Sequence, residues 1–133
     1  MKVILLVVSF MFFLVMAVIG IGYLLPQDHI ATGSAEYTIN PEDIWQYITQ
    51  KKNTDGVTYE TVESIPLKKF VTRIADKDLP FGGTWTYEIE ATPKGSRLTI
   101  TENGEVYNPL FRFISRFIIG HQRTIEKYLK EIR

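Results

Sequence analysis

The 133-residue sequence carries 15 basic and 15 acidic side chains, a formal net charge of zero, and no cysteine. Disulfides, thiol nucleophiles and thiolate metal sites are therefore excluded, and the even charge balance gives no reason to expect nucleic acid as a partner. A chain of this length holds one domain at most once any membrane segment is subtracted.

The first element is apolar. Val3 to Leu25 reads VILLVVSFMFFLVMAVIGIGYLL, 23 residues without a charge. As a helix it would extend ~34 Å, enough to cross a hydrocarbon core of roughly 30 Å. A cleavable signal peptide is the competing reading, but its apolar region is about 7–15 residues long and ends in small residues. This run ends in Tyr23, Leu24, Leu25 and Pro26. The expected organisation is an uncleaved anchor over residues 1–25 and one domain over residues 26–133. Lys2 precedes the run and no Lys or Arg follows it until Lys51, which puts the N-terminus in the cytoplasm and the domain on the outer side of the cell membrane.

Beyond Pro26-Gln27-Asp28, the residues Ala35, Tyr37 and Ile39 alternate with polar neighbours and predict a strand in the second half of 29–39. Asn40-Pro41-Glu42-Asp43 starts a helix, with a cap, a proline at the first position and two acids at the positive end of the dipole. It runs to about Gln50, with Ile44, Trp45 and Ile48 inward and Lys51 and Lys52 at its negative end. Asn53 to Gly56 is a turn, and strands are predicted from Val57 to about Glu63 and from Phe70 to Ala75, with Pro66 between them.

Leu79 to Gly83 reads as a connecting loop. From Thr84 the alternation is clean: Trp85, Tyr87, Ile89 and Ala91 on one face, Thr86, Glu88 and Glu90 on the other. Leu98, Ile100 and Val106 mark a last strand, interrupted at Asn103-Gly104 by a turn or bulge. Asn108-Pro109 repeats the cap-plus-proline start, and one helix of about 25 residues, ~38 Å, is expected to the C-terminus. Leu110, Ile114, Ile118, His121, Ile125, Tyr128, Leu129 and Ile132 would lie along one side of it. Strand, helix, four strands and a long helix make an α+β domain with helices on one face of an antiparallel sheet.

ADKDLPFGGTWTYEIE (75–90), RLTITENGEVYNPLFRFISRFIIGH (97–121) and AEYTINPEDIWQYIT (35–49) together resemble the SRPBCC, or START-like, superfamily, and most of all its bacterial polyketide cyclase/dehydrase and lipid-transport-like branch. The resemblance covers essentially everything after the anchor. It implies a helix-grip fold, a curved antiparallel sheet wrapped on a long C-terminal helix, with an apolar cavity between them. Members of that kind mostly bind hydrophobic small molecules or lipids, and some catalyse. Between the first helix and the strand near Val57 the family usually has a second short helix and two more strands, about 30 to 40 residues judged against usual domain length; here only Lys51 to Gly56 stand in their place. A sheet of about five strands, open along the shortened side, is the expectation.

The candidate ligand cavity is lined by Tyr59, Trp85, Tyr87 and Ile89 from the sheet and Phe113, Phe117 and His121 from the last helix, a set of aromatic bodies with a few polar tips. Core packing alone would also place such residues there. His121 is the weak candidate for acid–base chemistry, since a lone histidine on an apolar face is ordinarily a boundary residue. Glu88 and Glu90, with Glu102 and Glu105 on the next strand, could supply an acid–base pair if any of them pointed inward, but Glu88 and Glu90 fall on the wet face. There is no HExxH spacing, no oxygen cage and no phosphate loop, so neither a metal nor a cofactor is expected. Arg112 and Arg116, one helical turn apart, are solvated helix charges or touch anionic headgroups near the anchor. The expected function is membrane-anchored binding of a hydrophobic small molecule or lipid. The alternatives are a cyclase or dehydratase using His121, and an interaction module that self-associates through the open sheet edge.

Overall fold

A computed structural model describes residues 1–51 and 56–132. Lys52 and the turn residues 53–55 lie outside the described residues. The order is α1 (Lys2–Leu24), β1 (Asp28–Tyr37), α2 (Pro41–Gln50), β2 (Tyr59–Ile65), β3 (Lys69–Ile74), β4 (Phe81–Thr92), β5 (Gly95–Val106), α3 (Pro109–Ile114), a π-helical turn (Ser115–Ile119) and α4 (His121–Glu131). The five strands form one antiparallel sheet in the order β1-β5-β4-β3-β2. This is an α+β fold with a C-terminal helix laid on an open antiparallel sheet, the helix-grip arrangement that the resemblance implies. α1 is long and apolar enough to cross a membrane.

Local chemistry explains the element starts. The Asn40 side chain accepts from the Asp43 amide at 2.9 Å, and Asn108 accepts from Leu110 and Phe111 at 2.9 and 3.2 Å. Each satisfies amides that a helix N-terminus otherwise leaves without partners. The core lies between one sheet face and the two helices α2 and α4: Ile44, Leu98, Ile100 and Ile125 are fully buried, with Ala31, Ile48, Tyr87, Ile89, Leu129 and Ile132 packed around them. On the opposite face Glu88 and Glu90 are exposed.

Four boundaries differ from the sequence reading. β1 fills Asp28–Tyr37 rather than only the second half of 29–39, because it pairs with β5 from Asp28 opposite Glu105 onward. Gly82 and Gly83 belong to β4 rather than to a loop, paired with Glu105 and Gly104. β5 runs through Asn103-Gly104 without a turn, because Gly104 stands opposite His29. A Cβ there would fall 2.2 Å from the imidazole ring, so the glycine makes room for a side chain and does not reverse the chain. The C-terminal helix is interrupted. After α3 the backbone widens into the π turn, closed by the Gly120 amide bonding to the Ser115 carbonyl at 2.8 Å. Gly120 then adopts φ 77°, which disfavours any side chain, and α4 starts afresh at His121. α4 alone supplies the gripped face.

Candidate functional site: an aromatic groove and a histidine–glutamate cluster

α4 packs over β1 and β5, so β2 and β3 project past it, with Trp45 of α2 meeting Phe70 of β3 edge-on at 5.9 Å. The space so left is an open-sided groove of about 620 Å³, within the range of small-molecule sites. Its walls come from the end of α2, from β2, β3 and β4, and from the second half of α4. The open flank lies beside β2, the edge strand, on the side where the resemblance implies further strands.

The groove floor is aromatic. Trp85 meets Tyr128 edge-on at 5.8 Å between ring centroids; Tyr87 lies 5.7 Å from Tyr128 and 6.0 Å from Phe70. Edge-to-face and tilted contacts of this kind fix ring positions beyond what area burial alone gives. Burial pushes the Tyr87 hydroxyl up to about 12, and burial together with the neighbouring tyrosines raises Tyr128 further, so both stay neutral. At the rim the Lys51 ammonium lies 4.3 Å over the Tyr128 ring and 2.7 Å from a Glu131 carboxylate oxygen. Partial burial is the largest influence on the Lys51 charge and works against it, but Glu131 and Tyr47 together outweigh it and hold the pKa above the ordinary value. Thr49, Thr61 and Thr72 complete a wall that is half polar. An amphipathic molecule suits such a surface better than a pure hydrocarbon.

A second cluster touches the first through one side chain. The Trp85 indole N–H donates to one oxygen of Glu102 at 2.9 Å, and the other oxygen pairs with His29 Nε2 at 2.7 Å. The His29 ring stacks on the His121 ring, with centroids 3.4 Å apart and planes 12° from parallel. Burial depresses the His121 pKa, with His29 and Arg116 acting in the same direction and Glu102 against them. The three residues bring a ligand atom each within 4.8 Å of one another. Ring nitrogens bind metals in the ring plane, however, and two parallel stacked rings direct those lone pairs alongside each other rather than to one point. The arrangement is a partly buried hydrogen-bonded stack, with Glu102 oriented from both sides.

The sequence candidates separate accordingly. Tyr59, Trp85 and Tyr87 line the groove. Ile89 is buried in the core beside it. His121 belongs to the histidine cluster, away from the groove lining. Phe113 packs on Phe117 at 5.0 Å, and Phe117 is 60% exposed; neither lines the groove. Phe70, Tyr128, Lys51 and His29 went unmarked as site residues, while Glu102, a candidate only if it pointed inward, does so, bonded to Trp85 and His29. Extending the β1 alternation back through Ala35, Gly33 and Ala31 would have turned His29 inward, and the Leu98, Ile100 phase carries on to Glu102.

No protein-family model matches the sequence, and no curated protein is significantly similar to it. Solved structures do share the fold. Protein MLL2253 from Mesorhizobium loti superposes with a TM-score of 0.61 at 14% identity, over 78% of this chain and 93% of that one. Mll3558 from Rhizobium loti gives 0.54 at 14% identity, over 79% and 92%. The Polyketide_cyc-like protein Cgl2372 from Corynebacterium glutamicum gives 0.49 at 13% identity, over 80% and 82%, a likeness too loose to argue from. At such identities the shared feature is the fold.

Proposed function

We propose that this protein is a membrane-anchored binder of a hydrophobic small molecule or lipid, with α1 as a single-pass anchor in the cell membrane and the START-like domain on the outer side. The observation that carries the reading is the aromatic floor of the groove: Phe70, Trp85, Tyr87 and Tyr128 pack ring against ring and together line an open-sided space. Apolar surface of the ligand leaves water at roughly 25 cal/mol per Å², and the threonines with Lys51 and Glu131 at the rim hold its polar end. An anchor keeps the groove near membrane-partitioned ligands, raising their effective concentration.

The test reads Trp85 emission in full-length protein carrying Trp45→Phe, titrated with fatty acids, sterols and flat aromatic acids. A saturable change with one class supports the reading; no saturable change with any class overturns it. The enzyme alternative uses His121, whose contacts reach the groove only through His29, Glu102 and Trp85. Binding that survives His121→Ala favours the binder. A second reading, self-association through the sheet edge, draws support from β2, an edge strand with Val62 50% and Ile65 43% exposed.

A further inference from the structure

The half of the C-terminal arm before Gly120 carries an apolar surface that the domain does not bury. Leu110 is 43% exposed, Phe117 60%, Ile118 63% and Ile119 47%. Single exposed leucines are ordinary, but three consecutive large apolar residues with Leu110 nearby form a patch that asks for a partner.

Position says which partner. The last turn of α1 is fastened to the start of α3. Gly22 is buried there, and a Cβ on it would fall 1.9 Å from the Pro109 carbonyl oxygen. Arg112 spans the joint, donating to the Gly22 carbonyl at 3.4 Å and to the Val106 and Tyr107 carbonyls at 2.7 and 3.0 Å. Arg112 is therefore a clamp, not a free headgroup ligand. Because α1 ends at Leu24, the clamp holds α3 and the π turn at the depth where a spanning helix leaves the hydrocarbon. Tyr23 and Tyr107, 69% and 44% exposed, flank that joint, and tyrosine is enriched at headgroup level. Arg116 is exposed and makes no ion pair among the described residues. Residues 110–119 hold Arg112 and Arg116 and no acidic group, the sign that anionic lipid attracts.

We propose that residues 110–119 form a second membrane contact, lying in the interface of the leaflet that α1 leaves, with Phe117, Ile118 and Ile119 at the acyl boundary and Arg116 at the phosphates. The proposal rests on α1 being a span. Two attachments, a span and an interfacial patch fastened to it, set the domain's orientation on the bilayer instead of leaving it to swing on a linker. The groove, which borders α4 from Thr124 to Glu131, then lies toward the other end of the arm from the lipid contact.

The chain has no cysteine, so single nitroxide labels report without background. Full-length protein labelled at Phe117→Cys, Ile118→Cys, Phe12→Cys or Glu88→Cys is placed in nanodiscs of phosphatidylcholine with phosphatidylglycerol. Collisions with oxygen and with a water-soluble nickel complex are then compared. Oxygen should dominate at residues 12, 117 and 118, and nickel at 88. Nickel dominating at 117 and 118 while 12 stays in lipid overturns the interfacial contact and leaves the span standing. Both probes excluded at 117 and 118 would mean that a second protein surface covers the patch, which also overturns it. A Phe12 label in water removes the span and the contact together.

Discussion

The two halves of the C-terminal arm are built from much the same residues and do opposite things. In α4, Ile125, Leu129 and Ile132 recur at helical spacing and are buried against the sheet, leaving Lys127 and Lys130 outside. Before Gly120, Phe117, Ile118 and Ile119 run consecutively, and all three are exposed. Consecutive residues on a helix spread around its circumference, so such a run cannot bury itself on one flat partner. Spacing, more than hydrophobic content, separates the half that holds the domain together from the half left for something outside it. The π turn and the positive φ of Gly120 lie where one pattern gives way to the other.

The largest effect expected from this contrast is on stability. Ile125→Ala removes a fully buried side chain and should cost about 2–5 kcal/mol, while Ile118→Ala should change stability by no more than about 0.5 kcal/mol. Urea unfolding of the detergent-solubilised full chain, followed by tryptophan emission, measures both; equal losses would erase the distinction between the halves. Next comes the cluster where α4 begins. Glu102→Ala strands the Trp85 indole N–H and His29 in a partly buried site, a loss of roughly 1–3 kcal/mol in the same assay. If that variant unfolds like the parent, Glu102 is not the tie between sheet and arm.

The smallest effect is the pH dependence of His121. Its folded pKa lies below the unfolded value because of burial and the neighbouring His29 and Arg116, with Glu102 partly offsetting them. Between the two pKa values the unfolded chain binds more protons, so the stabilisation present above about pH 6.5 is lost as pH falls through the folded value. Thermal unfolding from pH 8 to 5 should show this decline, and His121→Gln should flatten it. A parent and variant that decline in parallel would assign the effect to other groups.

Much of the fold was legible because its signals are local or strictly periodic. The Asn40-Pro41 and Asn108-Pro109 starts appear where their spacing put them. The alternation of Trp85, Tyr87 and Ile89 against Glu88 and Glu90 gives β4 its inner and outer faces. What the sequence hid depends on cross-strand neighbours. Asn103-Gly104 has the form of a turn, yet it stays extended because the His29 ring needs the space over Gly104. The break at Gly120 was visible as a glycine within an apolar pattern, but the pattern continued across it and favoured one long helix. The groove residues divided along the same line. Trp85 and Tyr87 follow from strand phase, whereas Phe70 from β3, Tyr128 from α4 and Lys51 from the end of α2 reach the same space only through tertiary packing.

The central claim is that the space above those aromatic rings holds a ligand. Native mass spectrometry of the full-length protein, released from detergent, tests it most directly against a variant with the groove filled. Thr72 lines the groove without entering the buried core, so Thr72→Trp should occupy the space while leaving the fold, checked by circular dichroism, intact. The expected result is an adduct of fixed mass on the parent that is absent from the folded variant. No adduct on the parent, or the same adduct on both proteins, would contradict a ligand site in the groove.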